Sequence, residues 1–578
     1  MGVNLSRTLA LPAWQPRLRV APSSLVGLAM LGMIVLLVVT PVALMVVESF
    51  HEGPFGRETA WGIANWQAAL TDPTLAGAIG NTITLSLARV IIGIVVAVGL
   101  AWLLARADIP GTPWLELGFW IAVFMPPLTV NLAWIMIFDS YNGVANQLLE
   151  RLPFVSGAVF SIYSWWGIVA AHLLSGGIAV QVMLLAPAFR NLDASLEEAS
   201  LTAGEHTLGT LRRIVVPLLA PTIIVVMLLG LVRGLEGFET ELVLGTPAGI
   251  DVFGTKIYRI TQQEPPAYGI ATAMSMVIVV LSLPLILTQQ AFAWRRNFAT
   301  LSSKFSARRV WLGVWRWPAF ALVALAVVLM TVVPALLIIT GTFMNIFGYF
   351  AIPQPWTLKN WQAVLTNRTF VNALENTLLI AGASSLTAMT AFTTMAYIIV
   401  RTRFAARQLL DFMVWVPSTV PGIILSLGFL TLFLGTPFLR PMYGTVWIMI
   451  LVAALGGVTL ITQIMKTNLL QIGSELEEAS WAAGAPWFFT FRRVVLPLIT
   501  PSVVAVGVLS FSLAARATGS VALLSTPTNQ PLSMLQLTLA ASTQLGAASV
   551  IGVFLMFLSV GVAVTARFVL GVRIDPMR

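Results

Sequence analysis

Apolar runs of about 20 residues, broken by short polar connectors, recur along almost the whole chain. They fall at Leu25–Val47, Ile79–Leu104, Leu115–Phe138, Trp165–Phe189, Leu218–Leu235 and Ile270–Phe292. A second set follows at Pro318–Phe343, Asn376–Val400, Phe412–Leu434, Val446–Leu470, Leu498–Ala515 and Ala547–Leu570. Runs of this length match a bilayer's hydrocarbon core. The pattern predicts an all-α polytopic membrane protein of about 12 transmembrane helices. An even number of spans per half returns the chain to its starting side, so the halves are expected as two parallel six-helix repeats. The expected units are residues 1–292 and 318–578, joined by a linker over 293–317. The first run follows Arg7, Arg17 and Arg19 and resembles a signal peptide. It is too long for one and no small-residue cleavage site follows, so it is read as a retained first span.

The polar connectors repeat as well. Leu196–Pro221 reads LEEASLTAGEHTLGTLRRIVVPLLAP, and Leu476–Pro501 reads LEEASWAAGAPWFFTFRRVVLPLITP. Glu198 matches Glu478, Ala199 matches Ala479 and Gly204 matches Gly484. Arg212-Arg213 matches Arg492-Arg493, and Pro217 and Pro221 match Pro497 and Pro501. Outside these segments, Asn65-Trp66 pairs with Asn360-Trp361, Asn81-Thr82 with Asn376-Thr377, and Thr246-Pro247 with Thr526-Pro527. Agreement in register over this length indicates a duplicated unit. Ser195 with Glu198, and Ser474 with Glu477, have capping-box spacing. A helix is expected to about Ala203, then a turn at Gly204, then a second short helix ending near Pro217, both lying along the membrane face.

Composition fixes the solvent. The chain is 58% hydrophobic and 10% charged, with a mean hydropathy of +0.90. A soluble protein carries about 25% charged residues. Basic residues set the orientation. With the N-terminus inside, Arg106, Arg190, Arg212, Arg213, Arg295, Arg296, Arg401, Arg403, Lys466, Arg492 and Arg493 fall inside. Only Arg57, Arg151, Lys256, Arg259, Lys359, Arg368 and Arg440 fall outside. The net charge of +9 is thus a topology signal, and no nucleic-acid partner is implied. The same assignment puts both repeated segments and both termini in the cytoplasm. The basic, aromatic linker is expected to lie along anionic headgroups, so membrane lipid is a partner.

Candidate chemistry is sparse. Cysteine is absent, and His51, His172 and His206 are far apart in sequence, so no metal site is expected. No nucleophile–base constellation stands out, and no catalytic residue is assigned. Pro126-Pro127, Pro417 and Pro421 break the third and ninth runs, a feature tolerated where helices or water satisfy the freed carbonyls. Arg89, Arg233 and Arg516 lie in or at the edge of spans, where a charge faces a cavity or a partner. Arg233 and Glu236 can pair locally. The Thr-Pro matches align Glu236 with Arg516, so a bridge between the halves is possible. Arg233, Glu236, Glu239 and Arg516 are the candidate pathway or gate residues. Glu236, Glu239 and Glu241 give that end an acidic face suited to a cationic substrate.

The segments built on Glu198-Ala199-Ser200, Gly204, Ile214 and Pro217, and on Glu478-Ala479-Ser480, Gly484, Val494 and Pro497, resemble the EAA loop of ABC importer permeases. The third motif position is Ser200 or Ser480 in place of alanine. The resemblance covers the whole chain as two fused permease units, each with a cytoplasmic coupling loop. It implies that Glu197, Glu198, Ala199, Gly204, Glu477, Glu478, Ala479 and Gly484 couple to two cytoplasmic ABC ATPase subunits. It also implies a periplasmic solute-binding protein as partner and an inner-membrane location. No Gly-x-x-x-x-Gly-Lys-Ser/Thr occurs, so ATP-Mg belongs to the partner and this chain binds no cofactor and is no enzyme itself. The layout is similar to ferric-iron permeases, and more loosely to those for polyamines, thiamine, aminoethylphosphonate and sulfate. The competing class is a secondary transporter working without an ATPase.

Overall fold

The computed structural model describes residues 22–53, 60–154, 157–295 and 310–569. Arg7, Arg17, Arg19, Arg57, Arg296, the linker core 296–309 and the last residues from 570 lie outside the described residues. Sixteen principal helices follow in chain order, eight per half. They are α1 Ser24–Glu48, α2 Pro73–Arg106, α3 Thr112–Phe124, α4 Pro127–Phe138 and α5 Trp165–Arg190. Next come α6 Ala194–Thr202, α7 Thr207–Leu235 and α8 Tyr268–Arg295. The second half repeats them as α9 Gly313–Thr342, α10 Arg368–Arg401, α11 Arg407–Thr419, α12 Gly422–Gly435, α13 Val446–Gln471, α14 Glu475–Ala482, α15 Trp487–Ala515 and α16 Leu545–Thr565. Among the described residues, 10 helices are long and apolar enough to cross a membrane, or 12 spans if each bent pair counts as one.

The third and ninth runs are not straight spans. α3 and α4 meet at 97°, and α11 and α12 at 105°. The cause is local. A residue before proline is pushed out of the helical region, and Met125 before Pro126 (ψ 136°) and Val420 before Pro421 (ψ 119°) are both extended. Each bent pair still joins the two ends of the bundle. The connector into α3 is bonded to the start of α9, with Val310 N–H to the Arg106 carbonyl at 2.6 Å and Leu312 N–H to Asp108 at 2.8 Å. Beyond α4, Gln147 reaches the Gly348 carbonyl just past the end of α9, at 3.0 Å.

The halves are interlocked. α9 packs along α3 and α4, and α1 along α11 and α12, so each half's first helix lies on the other half's broken span. Glycine permits the close approach: a Cβ on Gly118 would come 2.2 Å from the Val327 side chain, and one on Gly428 3.0 Å from the Met45 sulfur. Small residues do this in membranes because lipid gives no hydrophobic drive between helices. Within each half, α2 packs on α5 and α7, and α10 on α13 and α15.

The repeated polar residues satisfy backbone groups at one end of the bundle. Asn65 donates to the His51 carbonyl at 2.7 Å, and Asn360 to the Met344 carbonyl at 2.9 Å. Asn81 donates to the Asp251 carbonyl, and Asn376 to those of Thr528 and Gln530. Thr82 and Thr377 accept from the N–H groups of Phe253 and Leu532. A buried carbonyl or N–H without a partner costs about as much as a lost hydrogen bond, so these side chains hold their loops to the spans.

Candidate coupling arms and pathway charges

At the opposite end of the bundle the repeated segments form two arms of the same build. α6 and α14 are short helices. Each is followed by a glycine with positive φ, Gly204 at 91° and Gly484 at 83°, and then by the long helix α7 or α15. The arm does not end at proline as expected from sequence. α7 runs unbroken from Thr207 through Pro217 into the membrane, and α15 runs likewise through Pro497. Proline cannot bond the carbonyl four residues back. The ladder therefore widens by one residue just before it, into π turns at Leu211–Val215 and Phe491–Val495. Only the first helix of each arm is a separate element.

Neither serine opens its helix as expected: Ser195 already lies inside α6, and the Ser474 side chain caps no backbone N–H. Asp193, not Ser195, opens α6: its carboxylate accepts the Ser195 N–H at 3.0 Å, and that bond holds it below the usual carboxylate range. Ser474 instead donates to Glu478 at 2.7 Å. The carboxylates next to the motif turn inward. Glu197 is buried and pairs with the buried Arg106 at 2.9 Å. Glu477 is buried, pairs with Arg401 at 3.4 Å and accepts from the Tyr397 hydroxyl at 2.8 Å. Arg106 also donates to the Leu192 carbonyl, and Arg401 to those of Leu469 and Ile472. Each arm is thus tied to the last residue of α2 or α10. Glu198, Ala199, Glu478 and Ala479 lie on the exposed side. The serines that replace the motif's third alanine bridge the two legs of each arm: Ser200 to Thr210 and Ser480 to Thr490, both at 2.9 Å.

Gly204 and Gly484 have open space around them, so a larger side chain is opposed by backbone conformation alone. A β-branched residue at positive φ costs about 1–2 kcal/mol. Gly204→Val with Gly484→Val is expected to leave the chain folded but to misdirect both arms. Coupled ATP hydrolysis in vesicles should then fall severalfold with little change in yield. Normal coupling would show that arm direction is unimportant.

The pathway candidates gather near the far end of α7. Arg233 pairs with Glu236 at 3.6 Å, as the spacing predicts. Its side chain is 68% exposed although it sits in the last turn of an apolar helix, where a charge faces either a cavity or the headgroup interface. Arg516 does not bridge to Glu236. Its Nη1 donates to the carbonyls of Val123 at 2.7 Å and Met125 at 3.1 Å, the groups freed by the α3–α4 break in the other half. Glu239 lies beside Thr518 in the field of Arg516. The second break is served locally, by Ser418 to the Trp415 carbonyl and Thr419 to that of Val416.

Sequence reasoning missed a further cluster. Glu241 is buried, with His172 at 2.8 Å and Arg89 at 3.7 Å, and Arg89 also donates to the Gly234 carbonyl. The acidic face expected from Glu236, Glu239 and Glu241 is therefore balanced by Arg89, Arg233 and Arg516. Among the described residues no group of three or more His, Asp or Glu is placed to hold a metal ion.

Two helical repeats, interlocked through broken spans and each carrying one glycine-turned arm, define a duplicated membrane permease. The family model described as binding-protein-dependent transport system inner membrane component matches residues 89–298 and 389–576, once in each half, and the chain belongs to that family. The ferric transport system permease protein FbpB of Actinobacillus pleuropneumoniae is 26% identical over 411 residues, 68% of this chain and 56% of that one. The Fe(3+)-transport system permease protein FbpB 2 of Haemophilus influenzae is 21% identical over 464 residues, 79% and 82% of the two chains. The sulfate transport system permease protein CysT of Salmonella typhimurium is 29% identical over 247 residues, 43% of this chain and 83% of that one. Another Haemophilus influenzae relative is matched over 61% of its length.

Proposed function

We propose that this chain supplies the membrane pathway of an ATP-driven importer, with both halves of the pathway in one polypeptide. The observation that carries this reading is the pair of arms, alike in register and each fastened by a buried arginine–glutamate pair to the end of a span. Two cytoplasmic ATPase subunits seat on the arms at Glu198 and Glu478, and their closure on ATP-Mg is passed through the arms to α2 and α10. A periplasmic binding protein delivers solute to the opposite end. Both termini are cytoplasmic, in keeping with the basic residues at the arm end. Residues 1–292 and 318–578 act as the two units, and 293–317 tethers them along the headgroups. Arg233, Glu236, Glu239 and Arg516 border the pathway where it opens at that far end.

Iron(III) is the proposed solute, supported by the names of the two ferric relatives. The balanced charges around Glu241 weaken the separate argument for a cation, and a sulfate-type relative matches 43% of the chain. The test is reconstitution of the chain with its ATPase and binding protein in vesicles. ATP-dependent uptake of radiolabelled iron(III), with none of sulfate, spermidine, thiamine or 2-aminoethylphosphonate, is expected. Uptake of one of the others would replace iron. Uptake without the ATPase would replace the importer reading by a secondary transporter.

A further inference from the structure

The two arms share a backbone but not a surface. Leu196 and Leu208 of the first match Leu476 and Phe488 of the second, and all four are exposed. They diverge at the next position. Phe489 is half exposed where the first arm has Gly209, which is buried. The space beside Gly209 is taken by Glu205, whose Oε1 would lie 1.9 Å from an added Cβ. Glu205 in turn holds Arg213 at 2.6 Å and His206 at 2.9 Å, and both of these side chains are more than three-quarters exposed. The second arm has Ala485 and Pro486 at the places of Glu205 and His206, and it adds an exposed Trp481.

The support beneath the arms differs too. Trp487 and Phe491 stack at 6.0 Å and 11°, and Phe491 lies 4.8 Å from the ring of Tyr397. Tyr397 is the residue that also donates to Glu477. The helical turn that carries Phe488 and Phe489 is therefore fastened from its inner face by an aromatic stack. The matching residues of the first arm, Thr207 and Leu211, provide no such stack.

We propose that the arms are unequal docking surfaces: the second grips its ATPase by burying Phe488 and Phe489, and the first makes a smaller contact through Leu208 and the Glu205–His206–Arg213 charges. This rests on the importer reading above. Aromatic anchors held in place before binding carry most of an interface's affinity, since little order is lost on docking. Exposed charges contribute less and are screened by salt.

The test titrates the ABC ATPase that copurifies with the full chain onto the ATPase-stripped chain in nanodiscs. Two classes of site are expected, and the weaker one should fade at roughly 0.5 M salt. Phe488→Ala with Phe489→Ala should weaken the tighter class by about tenfold or more and leave the other in place. Glu205→Ala with Gly209→Phe should do the opposite, tightening the first arm and removing its salt dependence. This variant gains function, so a folding failure cannot imitate its effect. A single class of site, weakened equally by the phenylalanine pair and by Leu208→Ala, would overturn the inequality and leave the importer reading standing. Binding unchanged in all of these variants would remove the arms as ATPase sites and the importer reading with them.

Discussion

Replacing Arg106 by leucine is expected to lower the stability of the first half sharply and to uncouple its arm. Arg106 and Glu197 are both almost wholly buried and 2.9 Å apart. Removing one partner of such a pair strands the other charge, which costs about 3–5 kcal/mol. Glu197 would escape by swinging α6 away from α2, so loss of coupling should accompany the loss of stability. Arg106→Leu combined with Glu197→Leu should recover much of the stability, because an apolar pair of similar volume is well tolerated in such places. It should recover less of the coupling, because the directed link is gone. Arg401→Leu should be milder, about 1–3 kcal/mol. Arg401 is less buried, and Tyr397 still donates to Glu477. Thermal melts and binding-protein-stimulated ATP hydrolysis of the three variants measure this. Equal, small losses in both single variants would show the pairs to be incidental.

Arg516→Leu is expected to open the break between α3 and α4. Its guanidinium satisfies two carbonyls that no helix turn can serve, at Val123 and Met125. Leaving both buried without a donor costs about 1–3 kcal/mol each. The bent span should loosen, and basal ATP hydrolysis should rise severalfold without the binding protein. Arg516→Lys should keep part of the restraint, since both bonds come from one nitrogen and an ammonium also donates from one, but on a flexible stem without the planar guanidinium's fixed geometry. The charge swap Glu236→Arg with Arg516→Glu separates this account from a gate pair. A glutamate at 516 has no proton to give those carbonyls, so the swap should be as leaky as Arg516→Leu. Restoration by the swap would make Glu236 and Arg516 direct partners in a state other than this one.

The spans were legible because length and apolarity are local properties, and the duplication was legible because its polar residues keep register. Arg106 and Arg401 could have been found the same way, since they stand at matching distances from Asn81 and Asn376. By charge alone they register only as topology signals. The inward turn of Glu197 and Glu477 was not legible. Which of two adjacent glutamates faces the protein depends on how α6 lies against α2, and the carboxylate spacing suggested caps instead. The prolines announced breaks but not bends near a right angle. At Pro217 and Pro497 they misled, because a π turn let the helix pass. The contact of His172 with Glu241, and the laying of each first helix on the opposite half, join residues far apart in sequence and needed the assembled fold. Ser200 and Ser480 looked like small departures from alanine, yet each spans the legs of its arm.

On the importer reading, one chain carries two ATPase-receiving arms and needs no second permease. Native mass measurement of the complex in nanodiscs tests it most directly. One copy of this chain with two ATPase subunits is expected, falling to one ATPase when the Arg106–Glu197 fastening is broken. Two copies of this chain with two ATPases, or a chain that retains no ATPase while still transporting solute, would contradict it.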